Sequence, residues 1–419
     1  MSLGKLAEEN VDVFNALTDS GFPHTEAAHY ITQGGFSTTE ASVRRWRTAN
    51  AEQMRERVNE EFDESVFYDD ILVAESRAER VTELEDQNDK LRKSLNNTLG
   101  KLADAKAKKE ELANAVYDAV TDAMAGLELK PVTVPQSDQR KKSSEVAVAV
   151  LGDWQLAKVT RDYSSSVCEQ RIELYGDKVL KLTEIQRADH PVEELHVFLL
   201  GDIVEGELIF PGQSHLIDAS LYEQVCISGP RILGNFLRKM LFNFKKVHVS
   251  AIPGNHGRVG GRASADYNPE TNSDRMLYRI TQQLLQHEER LTWDIPDGNL
   301  RDDTWYTVAR IGEYSSMLFH GGEGQISFNM LGINRKVSGW AMGAIPEHFN
   351  DIDFGHYHQP TQLTINRVTV RVNGSTESSN NFATKIVGAI GRPSQGLRFV
   401  DPRKGQVTTE YPKVWLDEV

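Results

Sequence analysis

The sequence predicts an α/β protein in which buried strands alternate with covering helices, preceded by a small helical head and a long coiled-coil helix. Three observations predict it. From Glu145 onward, short apolar runs alternate with helical stretches. Between residues 72 and 126, apolar residues recur with a seven-residue period. Residues 1–60 break into short helical patterns separated by glycine and proline. Periodicities of two, three and a half, and 3.6 separate these classes because strand, coiled coil and surface helix each bury a different stripe.

The head comes first. Leu6, Val11, Val13, Phe14 and Leu17 recur at helical spacing until Ser20-Gly21 and Pro23 stop the pattern. A second short helix is expected from Thr25, with Ala27, Ala28 and Ile31 on one side, broken at Gly34-Gly35. Ser37-Thr38-Thr39-Glu40 then supplies an N-cap signal for a third helix containing Ala41 to Arg47. Two helices joined by a glycine turn resemble a helix-turn-helix module. In that reading Ser42, Arg44, Arg45 and Arg47 face DNA. In the plainer reading the segment is a helical hairpin anchored by Trp46. Residues 1–50 hold four Lys/Arg against six Asp/Glu, so the head as a whole is not basic.

With Val81 at position a, the seam of the second segment runs through Val81, Asn88, Leu95, Leu102, Lys109, Val116 and Ala123. Leu84, Leu91, Thr98, Ala105, Leu112 and Ala119 fall at d. So narrow a stripe suits a coiled coil and not a globular core, and a polar Asn at a favours two strands in register. A homodimer is therefore expected, with a rod roughly 65 Å long at 1.5 Å per residue. Residues 127–144, with two prolines and an Arg140-Lys141-Lys142 run, read as a linker to a domain spanning 145–419.

Composition narrows the function classes. The 419-residue chain is 39% hydrophobic and 26% charged, and no apolar run reaches the ~18 residues that span a bilayer. No leader pattern is visible in the first thirty residues, and only Cys168 and Cys226 occur, outside any paired motif. The expected location is cytoplasmic, with no membrane partner. A formal charge of -14 means that any contact with nucleic acid is local or assisted by cations.

The chemistry sits at the ends of five apolar runs. VAVAVLGD ends at Asp153, followed by Trp154-Gln155; HVFLLGD ends at Asp202; VSAIPGNH ends at Asn255-His256; SMLFH ends at His320; DIDFGHYH ends at His356 and His358. Strand carboxyl ends gather at one edge of an open sheet, so these side chains are expected to converge. A mixed Asp/Asn/His set suits Mn, Fe or Zn better than Ca, which prefers all-oxygen shells. Two such ions about 3.5–4 Å apart neutralise phosphoryl charge and acidify water.

The order D-x-Q, GD, GNH, H and GHxH resembles the five-block signature of the calcineurin-like metallophosphoesterases, a family that includes nucleases of double-strand-break repair. The resemblance covers roughly residues 145–375. It implies a four-layer α/β/β/α sandwich and a dinuclear centre with two divalent ions, Mn foremost. Asp153 and His358 would hold the first ion, with Gln155 standing where the family usually has His. Asp202 would bridge, and Asn255, His320 and His356 would hold the second ion. His256 would orient phosphate or protonate the leaving oxygen. Arg258 is a candidate for holding a phosphate oxygen. Glu205, Gln213 and His215 fall on a loop that either rims the site or, as the plainer and preferred reading has it, is an ordinary exposed loop, and the remaining histidines read as surface or core residues.

Together these features lead to a metal-dependent nuclease or phosphodiesterase acting on DNA. The GDIVEG and GNHGR stretches add a resemblance to nuclease-like phosphoesterases encoded by bacteriophages, which would place the protein in the host cytoplasm. The rival expectation is a non-catalytic DNA- or integrase-binding adaptor on the same scaffold, resembling a recombination directionality factor. Gln155 is what makes that rival tenable.

Overall fold

The computed structural model describes residues 11–18, 23–51, 131–138, 142–207, 212–259, 269–296, 305–322, 330–378 and 391–419, with isolated positions between them. The chain divides into two compact units, Met1–Gly100 and Lys101–Val419.

In the first unit, α1 (Val11–Thr18), α2 (His24–Gln33) and α3 (Glu40–Ala49) enclose a core of Val13, Leu17, Ala27, Ile31 and Val43. Phe14 and Trp46 meet edge to face at 6.4 Å against it. Thr39 caps α3 as its sequence predicts, its hydroxyl accepting from Ser42 N at 3.3 Å. The four residues expected to face DNA divide by environment. Arg47 turns inward, its Nε donating to Leu17 O at 2.8 Å and its Nη2 to Ala16 O at 3.0 Å. It thereby satisfies the last carbonyls of α1, which have no partner within the helix. Ser42 Oγ lies 3.0 Å from the capping hydroxyl. Arg44 and Arg45 remain exposed. The coiled-coil expectation for 72–126 lies outside the described residues apart from Lys90, Lys93, Glu111, Ala115 and Asp118, none of which is a seam position.

The second unit carries two sheets. The first has six strands in the order β11-β10-β1-β2-β3-β4, formed by Gln406–Trp415, Ser394–Asp401, Glu145–Leu151, Val192–Leu199, Lys246–Ala251 and Leu291–Asp294. Strands β1 to β4 run parallel, while β10 pairs antiparallel with β1. The second sheet has the order β5-β6-β7-β9-β8, from Tyr306–Ile311, Tyr314–Phe319, Asp351–Phe354, Val368–Val372 and Thr361–Ile365. Residues 361–372 fold back as a hairpin, with Asn366 in a left-handed turn at φ 56°.

Side-chain alternation along β1 explains the layering. Ala147, Ala149 and Leu151 join a core with α4 (Ser165–Arg187), α5 (Gly229–Asn243) and α6 (Ser273–Leu284). Val146, Val148 and Val150 join the core of the second sheet. A strand buried on both faces reads as a continuous apolar run, which is the pattern of VAVAVL. Arg398 of β10 reaches across and grips Asp353 of β7 with two hydrogen bonds of 2.8 and 2.6 Å, locking sheet to sheet. With Asp353 facing inward, period-two alternation turns Ile352 and Phe354 outward. There Phe354 stacks on Phe319 at 4.8 Å, and α7 (Met330–Gly339) contributes Ile333 and Val337. The result is the expected α/β/β/α sandwich, two sheets flanked by helices.

Candidate metal centre

Strands β1, β2 and β3 of one sheet and β6 and β7 of the other end at the same edge. The loops beyond them are tied together: Asp153 N donates to Gly201 O, Gln155 N to Asp202 O, and Leu156 N to Ile203 O, each at 2.9 Å. His356 N donates to Asp153 Oδ1 at 2.9 Å. Asp153, Gln155, Asp202, His356 and His358 all adopt positive φ, between 47° and 71°. Such backbone costs a non-glycine residue about 1–3 kcal/mol and persists only where surroundings over-determine it. Glycine is needed where these loops touch. A Cβ on Gly254 would lie 2.1 Å from Asp202 Oδ1, and one on Gly355 would lie 2.3 Å from Asp153 Oδ2.

The ligand-type atoms converge. One atom from each of Asp202, His320 and His356 lies within 4.8 Å of the others. His320 Nδ1 sits 2.7 Å from Leu200 O, so Nδ1 carries the proton that this carbonyl accepts. Nε2 then presents a lone pair to Asn255 Oδ1 at 3.1 Å and Asp202 Oδ2 at 2.9 Å. Asn255 Oδ1 and Asp202 Oδ2 thus both face one ring nitrogen, an arrangement that suits a cation. Burial opposes the charged ring, but Asp202 outweighs it and lifts His320 to about 9. The same donor set fits a divalent ion of the Mn, Fe or Zn type. His356, half-buried and beside His320, is lowered to about 4 and stays neutral, the form that binds metal.

At the adjoining end His358 Nε2 lies 3.2 Å from Asp153 Oδ1 and 3.1 Å from Gln155 Nε2. His256 lies on the other flank. Its Nδ1 is 3.1 Å from Glu205 Oε2 and its Nε2 is 3.9 Å from Asp202 Oδ2. Burial disfavours its charge, yet Asp202 and Glu205 together raise it to about 9. Arg258, two residues on, is buried, with its N–H bonded to Asn255 O at 3.4 Å. Thus Asp153, Gln155, Asp202, Asn255, His256, His320, His356 and His358 are linked through contacts of 3.9 Å or less, apart from the His356 ring, which belongs through the 4.8 Å cluster.

Sequence reasoning missed the residues that hold these in place. Asp274, fully buried, accepts from Asp202 N, Ile203 N, Val204 N and Gly254 N at 2.8–3.0 Å. In the sequence it looks like any acid in the first turn of a helix, here capped by Asn272. Glu377 Oε2 lies 3.1 Å from His358 Nδ1, fixing that ring as Leu200 fixes His320. Gln395 brackets Gly152, donating to its O at 3.1 Å and accepting from its N at 3.0 Å. The loop reading of Glu205 and Gln213 as ordinary and exposed needs correction. Both are buried, and Gln213 Nε2 donates to the Glu205 backbone carbonyl at 2.7 Å and to its Oε1 at 3.1 Å, the second bond orienting the carboxylate on His256. His215 is exposed, as expected. His196 and His248, adjacent across β2 and β3 with rings 4.9 Å apart, are far along the strands from the loop edge and serve the sheet.

No protein-family model and no curated protein matches the chain. Among solved structures it is similar to a predicted phosphoesterase from Streptococcus pneumoniae, with 16% identity over 64% of this chain and 99% of that one and a TM-score of 0.28. It is also similar to vacuolar protein sorting 29 from Cryptosporidium parvum, with 13% identity over 64% and 98% and a TM-score of 0.30. A hypothetical protein from Pyrococcus horikoshii gives 13% identity over 65% and 89% and a TM-score of 0.31. Likeness at these scores is too loose to carry a residue role across, and the centre rests on its own donors.

Proposed function

We propose that the protein is a metal-dependent phosphoesterase of the calcineurin-like type whose substrate is a phosphodiester of nucleic acid, DNA foremost. The observation that carries the proposal is the convergence of Asp202, Asn255, His320 and His356 on one spot, the first and third buried and the other two half-buried, with Asp153 and His358 adjoining. A divalent ion of the Mn, Fe or Zn type held there supplies Lewis-acid charge to a phosphoryl group and acidifies water.

The chain's own groups then divide the work. Leu200 O and Glu377 orient the rings of His320 and His358, so each keeps Nε2 for the centre. Glu205 holds His256 by Nδ1 and favours its charged form. His256 Nε2–H, 3.9 Å from Asp202 Oδ2, is placed to donate a proton to a leaving alkoxide. Arg44 and Arg45, exposed on α3, support a nucleic-acid substrate, because a helix offering guanidinium groups positions a phosphate backbone. Dimerisation through residues 72–126 belongs to the same reading.

The test is Mn-dependent hydrolysis of duplex DNA, single-stranded DNA, RNA and an aryl phosphodiester by the full chain. Cleavage that disappears in Asp202→Asn and His256→Ala supports the proposal. Metal binding without hydrolysis of any of these esters would overturn it and favour the adaptor.

No helix among the described residues is long and apolar enough to cross a membrane.

A further inference from the structure

Two ions are expected from the motif order, yet the two ends of the centre are not built alike. Among the described residues, the one cluster of three His, Cys, Asp or Glu donors within 4.8 Å is Asp202, His320 and His356. At the opposite end a lysine intrudes. Lys158 Nζ lies 2.6 Å from Gln155 Oε1 and 2.8 Å from Glu377 Oε1, with its side chain largely buried.

This contact decides what Gln155 can do. An ammonium has donors and no acceptor, so the amide atom facing it is the carbonyl oxygen. The amide nitrogen is then turned toward His358 Nε2, at 3.1 Å. An amide –NH2 has no lone pair to give a metal, and reversing the amide would set it against the ammonium. Gln155 therefore cannot contribute a ligand while Lys158 stays. Asp153 and His358, with bridging Asp202, are then the ligands left at that end, one fewer than the four at the other.

Charge agrees with geometry. Asp153, Asp202 and Glu377 bring three carboxylates to the centre. The Lys158 ammonium adds a positive charge beside the Asp153 end, which opposes a second divalent ion there. Adding cations there is costly, because charge in low dielectric must be paired.

We propose that the centre holds one resident divalent ion, on Asp202, Asn255, His320 and His356, and that the Lys158 ammonium, by holding the Gln155 carbonyl, keeps a second ion from the Asp153 end. This rests on the metal-dependent reading above and deepens it. Lys158, held by Glu377 and Gln155, is a positioning group that fixes the Gln155 amide and brings positive charge beside it.

The experiment is Mn2+ titration of the chelated full chain by calorimetry, with paramagnetic resonance on the loaded protein. The wild type is expected to bind one Mn2+ per chain and to give the spectrum of an isolated ion. Gln155→His with Lys158→Ala is expected to bind two, with the spectrum of a spin-coupled pair. Lys158→Gln, the milder change, is expected to admit a second, weaker ion. Circular dichroism confirms that each variant folds. Two ions in the wild type, or one ion in a folded double variant, would overturn the assignment to Lys158. No ion in the wild type would instead overturn the phosphoesterase reading itself.

Discussion

Asp274 is where fold and chemistry are most tightly joined, and Asp274→Asn tests that joint. Its Oδ1 accepts from Ile203 N and Val204 N, and its Oδ2 from Asp202 N and Gly254 N. Replacing one oxygen with –NH2 leaves two backbone N–H groups facing donors in a site that excludes water. A buried donor without a partner costs about 1–3 kcal/mol, so the substitution should cost about 2–6 kcal/mol. That is a large share of the roughly 5–15 kcal/mol that holds a domain together. The bonds belong to the loops that present Asp202 and Asn255, so Mn2+ affinity should fall as well, about 10- to 100-fold as for other groups behind metal ligands. Equilibrium urea unfolding and calorimetric Mn2+ titration of the full chain measure the two effects. A loss under about 1 kcal/mol together with unchanged metal affinity would refute the view that Asp274 builds the centre.

Three other outcomes follow from the same geometry. Glu205→Gln removes the carboxylate that favours charged His256, so it should lower kcat at neutral pH by about tenfold or more while leaving Mn2+ stoichiometry unchanged, as kinetics and calorimetry would record. Arg398→Met strands Asp353 between the sheets and should destabilise the fold by about 3–5 kcal/mol in urea unfolding, whereas Arg398→Met with Asp353→Leu should recover most of it. In the head, Arg44→Ala with Arg45→Ala should weaken DNA binding in a salt-dependent way without lowering helicity. Arg47→Ala should reduce helicity, because it takes the partner from two carbonyls of α1, and circular dichroism beside filter binding separates the two.

The site was legible to the extent that local sequence encodes it. Asp153, Asp202, Asn255, His320 and His356 are announced by the same device, an apolar strand that stops at glycine and a ligand-type side chain. Strand ends must meet at one edge, so convergence could be read without coordinates. The groups behind them could not. Asp274 is 72 residues from Asp202, Glu377 is 19 from His358, and Gln395 is 243 from Gly152. Each acts through long-range contacts that leave no periodic trace. Arg47 shows the opposite failure. Its type and its place on α3 suggested phosphate, but the α1 carbonyls 30 and 31 residues away captured the guanidinium. Lys158 could have been noticed, five residues after Asp153, yet nothing in the sequence says that its amine folds back onto Gln155.

These long contacts also explain how the loops tolerate their backbone. Five ligand-type residues in left-handed conformation would together cost several kcal/mol in an unsupported chain. Here the carbonyls of the β2 loop accept the N–H groups of the β1 loop, Asp274 accepts those of the β2 and β3 loops, and Asp153 accepts that of His356. The ligands are thus held by bonds between loops before any ion arrives, and metal binding need not order the chain. Side chains aimed by a rigid frame lose little entropy on binding, which favours affinity. Such a frame is also poor at adjusting to a change of coordination. A centre of this stiffness keeps the asymmetry its residues impose, with Asp202, His320 and His356 clustered at one end and a lysine-held glutamine beside Asp153 and His358 at the other.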